Sequence, residues 1–161
     1  MLPYWIKKKK AKKKEPDLFT KATPKKRKPD LVKKLDKVFA LYIRLRDVMP
    51  SGYGKCISCG RIVPYSELDC GHFHGRTHMG TRFEEDNCHA ECKNCNRFSA
   101  DHLIKYRDNL IAKIGFSRYE RLNLLAHSTK HWLDSELEEK IDYFTKEVKR
   151  LSAEKGIRVN L

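Results

Sequence analysis

Two Cys-x-x-Cys pairs, Cys56-Ile-Ser-Cys59 and Cys92-Lys-Asn-Cys95, stand 32 residues apart and constrain this chain more than any other feature. Each pair sits on a short loop that can aim two thiolates at one ion, so together they complete a tetrahedral, all-cysteine structural Zn2+ site. Gly60, directly after the first pair, relieves the tight turn. Where a metal replaces much of a hydrophobic core, the chain around it is short-range and rich in turn residues, as it is from Ser51 to about Arg97. A zinc knuckle, two short strands and the start of a helix are expected over 51–98. Cys70 and Cys88 are left over and read as small buried residues; Cys88, one helical turn from Cys92, competes as a ligand.

Long amphipathic stripes flank this centre. Leu31, Leu35, Val38, Tyr42, Leu45 and Met49 recur at spacings of four and three, which predicts a helix over 31–49, capped by Asp30 and ended by Pro50. Beyond the cysteines, Leu103, Tyr106, Leu110 and Ile114 predict a helix closing at Gly115. Ser117-x-x-Glu120 has the form of a capping box opening a helix to about Leu125, and Ser135-x-x-Glu138 repeats that signal. The second box precedes Leu137, Ile141, Phe144, Val148 and Leu151, a stripe that ends near Gly156. The fold class expected is α+β and mainly helical, a single domain over 31–161 with its helical C-terminal part at 99–155. The two long stripes pack on each other within one chain or on a second copy; a homodimer stays open.

Charge divides the chain differently. Lys and Arg number 35 against 21 acidic residues, a net charge of +14 with histidines neutral. Residues 1–30 hold twelve of the basic residues against Glu15, Asp17 and Asp30, about +9 of the excess. Lys7, Lys8, Lys9, Lys10, Lys12, Lys13, Lys14, Lys25, Lys26, Arg27 and Lys28 repel one another and are broken by Pro16, Pro24 and Pro29. Such a segment is expected to be a disordered arm until it meets a polyanion, and DNA is the leading partner because phosphate contacts release condensed counterions. A solvated tail or contact with acidic lipid is the plainer alternative. Met1 to Ile6 is too short an apolar run for a membrane span or secretory core. With cysteines at metal-site spacing rather than as a disulfide framework, an intracellular setting is expected and no membrane partner.

More residues lie between the pairs than a zinc knuckle needs. Asp69, His72, His74, Asn87 and Asn96 combine a carboxylate, imidazoles and amides. Phosphodiester hydrolysis needs a group that takes a proton from water, for which histidine is suited near neutral pH, and a hard cation that stabilises charge on phosphate. Mg2+ or Mn2+ serves the second need and prefers carboxylate and amide oxygens. His74 shares a face with His72 under strand alternation and can contact the metal or the phosphate. Arg76, Arg82, Lys93 and Arg97 can clamp the DNA backbone, or are simply charges on a solvated face. His78, His89, His102, His127 and His131 read as structural or exposed.

Cys-x-x-Cys-Gly, a run ending in His72, and Asn87 five residues ahead of Cys92-x-x-Cys95 resemble the HNH endonuclease family, whose core is a ββα-metal finger. Asn96 stands where a histidine commonly follows the second pair, as in the junction-resolving branch of that fold. The longer string Leu68-Asp69-Cys70-Gly71-His72-Phe73-His74-Gly75-Arg76, with Arg82-Phe83, Asn87-Cys88-His89 and Cys92-x-x-Cys95-Asn96, resembles the NinG/Rap recombination proteins of lambda-like phages. That resemblance implies a zinc-stabilised HNH-like core in which His72 is the general base, Asn96 a ligand of the catalytic divalent ion, and Asn87 a brace for the loop. It implies a metal-dependent endonuclease acting in phage recombination on branched DNA such as Holliday junctions, beside other recombination proteins in the host cytoplasm. One position departs from the family: Gly71 stands where the metal-binding residue before the base is usual. Asp69 is the nearest carboxylate, and only a bulge at Gly71 would bring it to the face of His72.

The chief alternative is a non-catalytic zinc module that binds DNA through its arm and recruits recombination proteins. It leaves His72, Asn87 and Asn96 without a reason for their spacing. An RNA-binding or ribosome-associated zinc protein rests on charge alone.

Overall fold

The computed structural model describes residues 30–99 and 101–161. The basic residues assigned to the arm, Lys7 to Lys28, lie outside the described residues. The first helix, α1 (Leu31–Asp47), begins where Asp30 Oδ1 accepts the Lys33 amide at 3.2 Å, the cap expected of it. It ends two residues before the predicted boundary. Val48 turns extended and bridges to Gly54, leaving Met49 exposed rather than in the stripe.

Four short strands follow, in two antiparallel pairs, where two strands were expected. β1 (Tyr53–Lys55) pairs with β2 (Ile62–Pro64), and β3 (Leu68–His72) pairs with β4 (Cys88–Cys92). The β3–β4 register runs unbroken from Leu68 opposite Cys92 to His72 opposite Cys88. No bulge interrupts it at Gly71, so Asp69 and His72 keep the opposite faces that strict alternation gives them. Leu68, Cys70 and His72 therefore point to one side with Cys88, Ala90 and Cys92, while Asp69 and Gly71 share the other side with His89 and Glu91. Gly71 has a different reason to be glycine: a Cβ there would collide with the Glu91 side chain.

Helices complete the chain: α2 (Lys93–Phe98), α3 (His102–Ile114), α4 (Phe116–Ala126) and α5 (Asp134–Lys155). Gly115, at φ +82°, ends α3 and opens α4, so Ser117 lies inside the helix instead of capping it. At α5 the capping group is Glu136, whose Oε2 accepts the Leu133 amide at 2.8 Å, and the Ser135–Glu138 box is not formed. Both sites show the same preference: the helix starts where backbone geometry or a charged side chain satisfies its first amides. Gly156, at φ +64°, closes α5 as its sequence position implied.

The two long stripes meet each other within the chain. Leu35, Val38, Phe39, Tyr42 and Ile43 of α1 share one buried cluster with Leu137, Ile141, Phe144, Val148 and Leu151 of α5. Phe144 packs 4.9 Å, centroid to centroid, from both Phe39 and Tyr42. Each such side chain contributes about 2 kcal/mol by leaving water. The far end of the pair is tied by Lys155, whose Nζ donates to the carbonyls of Leu45, Arg46 and Val48 at 2.7, 3.3 and 2.6 Å. A cation there answers the unpaired carbonyls that end α1. The side of the β3–β4 sheet bearing Cys70 and Cys88 joins this core, leaving the Asp69 side to α2 and α3.

Candidate metal centre and the sheet face beside it

The β1–β2 loop carries Cys56 and Cys59, and the junction of β4 with α2 carries Cys92 and Cys95. Their sulfurs all lie within 4.8 Å of one another, and the Cys59 and Cys92 sulfurs are 3.8 Å apart. A tetrahedron with Zn–S bonds of ~2.3 Å has edges of ~3.8 Å, so the cluster has the size of a zinc site. The second cysteine pair needs no long loop: β4 stops at Cys92 and one turn of α2 brings Cys95 alongside it.

Charge in the cluster is unevenly held. Burial opposes ionisation of Cys59, yet hydrogen bonds from Arg61 and the neighbouring thiols prevail and bring it down to about 6. Burial pushes the Cys56 and Cys95 thiols up. Four sulfurs this close ionise together only against a cation, and a soft all-sulfur donor set suits Zn2+. The residues present thus fit the zinc that the sequence implied.

Asp69 lies one strand position beyond the cluster on the opposite side of the sheet. Asn96, the first residue after Cys95, donates its amide to Asp69 Oδ2 at 3.1 Å. Arg97 grips the same carboxylate with two bonds, Nε to Oδ2 at 2.7 Å and Nη2 to Oδ1 at 2.9 Å. Burial works against the charged carboxylate, but these hydrogen bonds win and hold Asp69 below its usual range. Asp69 and Asn96, the two residues named from the sequence as ligands of a divalent ion, thus lie within hydrogen-bond distance of each other.

His72 is not part of this pair. It sits across the sheet beside Cys70 and Cys88. Burial and the nearby Arg76 favour its neutral form. Asn87 is the brace it was expected to be: fully buried, it accepts the His74 amide at 2.8 Å and donates to the carbonyls of His74 and Thr81 at 2.9 and 3.0 Å. His74 follows the end of β3, so alternation no longer applies; its Nε2 meets Asn123 of α4 at 2.9 Å, and no contact joins it to Asp69 among those found in the described residues.

The basic residues divide too. Arg82 is committed to Asp36 of α1 through a two-bond ion pair, with Nε to Oδ1 at 3.0 Å, and works as a tie rather than a free clamp. Lys93 pairs with Glu67 at 3.5 Å, Arg97 is on Asp69, and Arg76 is exposed.

Several residues that sequence reading passed over define the Asp69 face. Glu91 stands directly across the ladder from Asp69 and is fully buried. Its Oε1 accepts from the Ser58 hydroxyl and meets His102 Nδ1 at 2.7 Å. Behind them Asp47 accepts the Ala90 amide at 2.8 Å and the Arg46 Nε at 2.8 Å, and lies 3.4 Å from the buried ring of His89. Only the β3–β4 register could have exposed Glu91, because nothing in its local pattern sets it apart; His102 carried no signal at all.

These elements define a mainly helical protein organised around a cysteine cluster that can hold a zinc ion. The chain belongs to the NinG family: the model of the bacteriophage lambda NinG protein matches residues 5–154. Among individual proteins it is similar to protein ninG of Salmonella phage P22, at 33% identity over 84 residues, which is 50% of this chain and 39% of that protein. It is similar also to protein ninG of Escherichia phage lambda, at 34% over 80 residues, 48% of this chain and 37% of the relative. The chain thus matches less than half the length of these curated relatives. No solved structure matches it. No described helix is long and apolar enough to cross a membrane.

Proposed function

We propose that this protein is a metal-dependent DNA endonuclease of phage recombination that hydrolyses phosphodiesters in branched DNA. The observation that carries the reading is the meeting of Asp69 with Asn96 beside the four-cysteine cluster, on a strand, strand and helix in the order of the ββα-metal pattern. Membership of the NinG family and the density of positive charge support DNA as the partner.

Asp69 and, with its amide turned, Asn96 offer oxygen ligands to Mg2+ or Mn2+. Such an ion supplies charge stabilisation on the phosphate and a more acidic bound water. That the position suits a cation is supported by Arg97, whose positive fork already rests on Asp69. Released from Asp69, Arg97 is placed to bind phosphate oxygens as a fork. The family resemblance gives the proton acceptor's part to His72. Of the two imidazoles on the Asp69 side of the sheet, His89 is buried against Asp47, whereas His102, its side chain 18% exposed, has its Nδ1 held by buried Glu91. We assign it that part.

A second reading, a non-catalytic zinc module that binds DNA in recombination, is favoured by one observation: Asp69 and His72 stand on opposite faces. End-labelled four-way junction, flap and linear duplex DNA, incubated with zinc-replete protein and Mg2+, Mn2+ or chelator, separates the two. The nuclease reading expects metal-dependent incision of the junction that Asp69→Ala abolishes and His102→Ala slows by roughly 100-fold. Loss with His72→Ala but not with His102→Ala, in a variant that keeps the parent's zinc content, returns the proton acceptor's part to His72. Binding without incision under every condition establishes the second reading.

A further inference from the structure

The residue that the Asp69 face leaves aside has partners of its own. Cys70, His72 and Cys88 bring one ligand atom each to within 4.8 Å of the other two. Cys88 stands directly across the ladder from His72, and Cys70 lies two residues along on the same face, so an unbroken pair of strands holds all three. Cys88 is 0% exposed and Cys70 7%. Within this arrangement His72 Nε2 is buried and has no hydrogen-bond partner. A buried imidazole nitrogen left unpaired is unfavourable, and two thiols, weak donors at best, do little to satisfy it.

We propose that Cys70, His72 and Cys88 form a second metal site, distinct from the four-cysteine cluster, which binds a soft divalent ion, Zn2+ in the first instance, through two thiolates and one imidazole. Binding forms two metal–sulfur bonds and one metal–nitrogen bond and releases the two thiol protons to solvent. Nothing is oxidised. Two sulfurs and a nitrogen are a donor set for Zn2+ and not for Mg2+, which separates this site chemically from Asp69 and Asn96 on the other side of the sheet. Three protein ligands leave a fourth position for water, the arrangement of zinc sites that are not purely structural. The strands carrying the three residues are pinned to α1 by the shared apolar cluster, so the ligands are held in place before the ion arrives. A His72 that ligates metal has no lone pair on the ligating nitrogen with which to accept a proton.

The proposal does not depend on nuclease activity, and neither does its test. Full-length protein, purified under reductant, supplied with excess Zn2+ and desalted, is assayed for zinc per chain by mass spectrometry of the metal. Two ions per chain are expected, falling to one in His72→Ala and in the Cys70→Ser/Cys88→Ser double variant, each with a melting transition retained by the four-cysteine zinc. Replacement by Co2+ gives a second reading: the thiolate-to-metal absorption of the parent falls by roughly a third in the double variant, two thiolates of six. Should the double variant not fold, His72→Ala alone carries the count. One zinc in the parent, or two zincs that both survive in the variants, overturns the site. A Cys70–Cys88 disulfide in peptides from the reduced preparation overturns it as well.

Discussion

Asn96 donates its side-chain amide to Asp69 across 27 positions of sequence, 3.1 Å from nitrogen to oxygen. The contact exists because the cysteine cluster stops β4 at Cys92 and turns the chain directly into α2, which lays Asn96 and Arg97 over the start of β3. The turn that carries the second cysteine pair thus sets the position of the Asp69 carboxylate.

Asp69→Asn keeps the shape of this contact and removes its charge. Metal-dependent incision of a four-way junction is expected to fall by at least about 100-fold. Affinity for the junction, read by fluorescence anisotropy, is expected to stay within about threefold. A variant that cleaves like the parent shows that the divalent ion does not bind at Asp69.

Disrupting the four-cysteine cluster should unfold the middle of the chain. Cys92→Ser leaves three sulfurs and exposes the β4–α2 junction, so zinc content is expected to drop and the thermal transition to broaden and fall, as it does for the parent with a strong chelator. Circular dichroism followed against zinc content checks this. The α1–α5 pair keeps its helical signal longest because its core contains none of the four cysteines.

Asp47 makes stability pH-dependent. Burial opposes its charge, but His89, Arg46 and Lys113 overcome that and hold its carboxyl far below the usual range. With the folded pKa below the unfolded value of about 3.9, the stabilisation is complete above that value and is lost as the pH falls toward the folded pKa. Asp47→Asn is expected to destabilise by about 2 kcal/mol at neutral pH, since it takes the closer of two carboxylates from the partly buried Arg46 guanidinium and leaves only Glu85, at 3.4 Å. Urea unfolding of parent and variant from pH 3 to pH 7 should show a shallower acid slope in the variant.

Asn87→Ala removes the brace of the loop between β3 and β4. Three hydrogen bonds to His74 and Thr81 go with it, and buried carbonyls and an amide lose their partner, a destabilisation of about 2 kcal/mol. Hydrogen exchange at the His74 amide is expected to speed up while β4 and α5 keep their protection.

The basic arm makes its own prediction. Deleting residues 1–29 removes twelve basic residues. The slope of log affinity against log salt should become shallower by several units, with the preference for junction over duplex retained. An unchanged slope places the arm off the DNA.

The amino-acid sequence by itself determined what depends on neighbours along the chain. Ligand spacing set the cysteine cluster, periodicity set the α1 and α5 stripes, and Asp30 and Gly156 marked helix ends, while the part of Asn87 came from the family resemblance. Spacings of this kind act over one or two turns, where few alternatives compete. Tertiary structure decided the rest. The unbroken β3–β4 register put Asp69 and His72 on opposite faces, which local pattern could not settle because one extra residue in a strand reverses every side chain after it. Gly71 is glycine for the close approach of Glu91, a residue 20 positions away, and His102 gains its role only because α3 carries it to that same carboxylate. Such pairings are chosen by the packing of whole elements against one another, and that free energy is not written in any short stretch of residues.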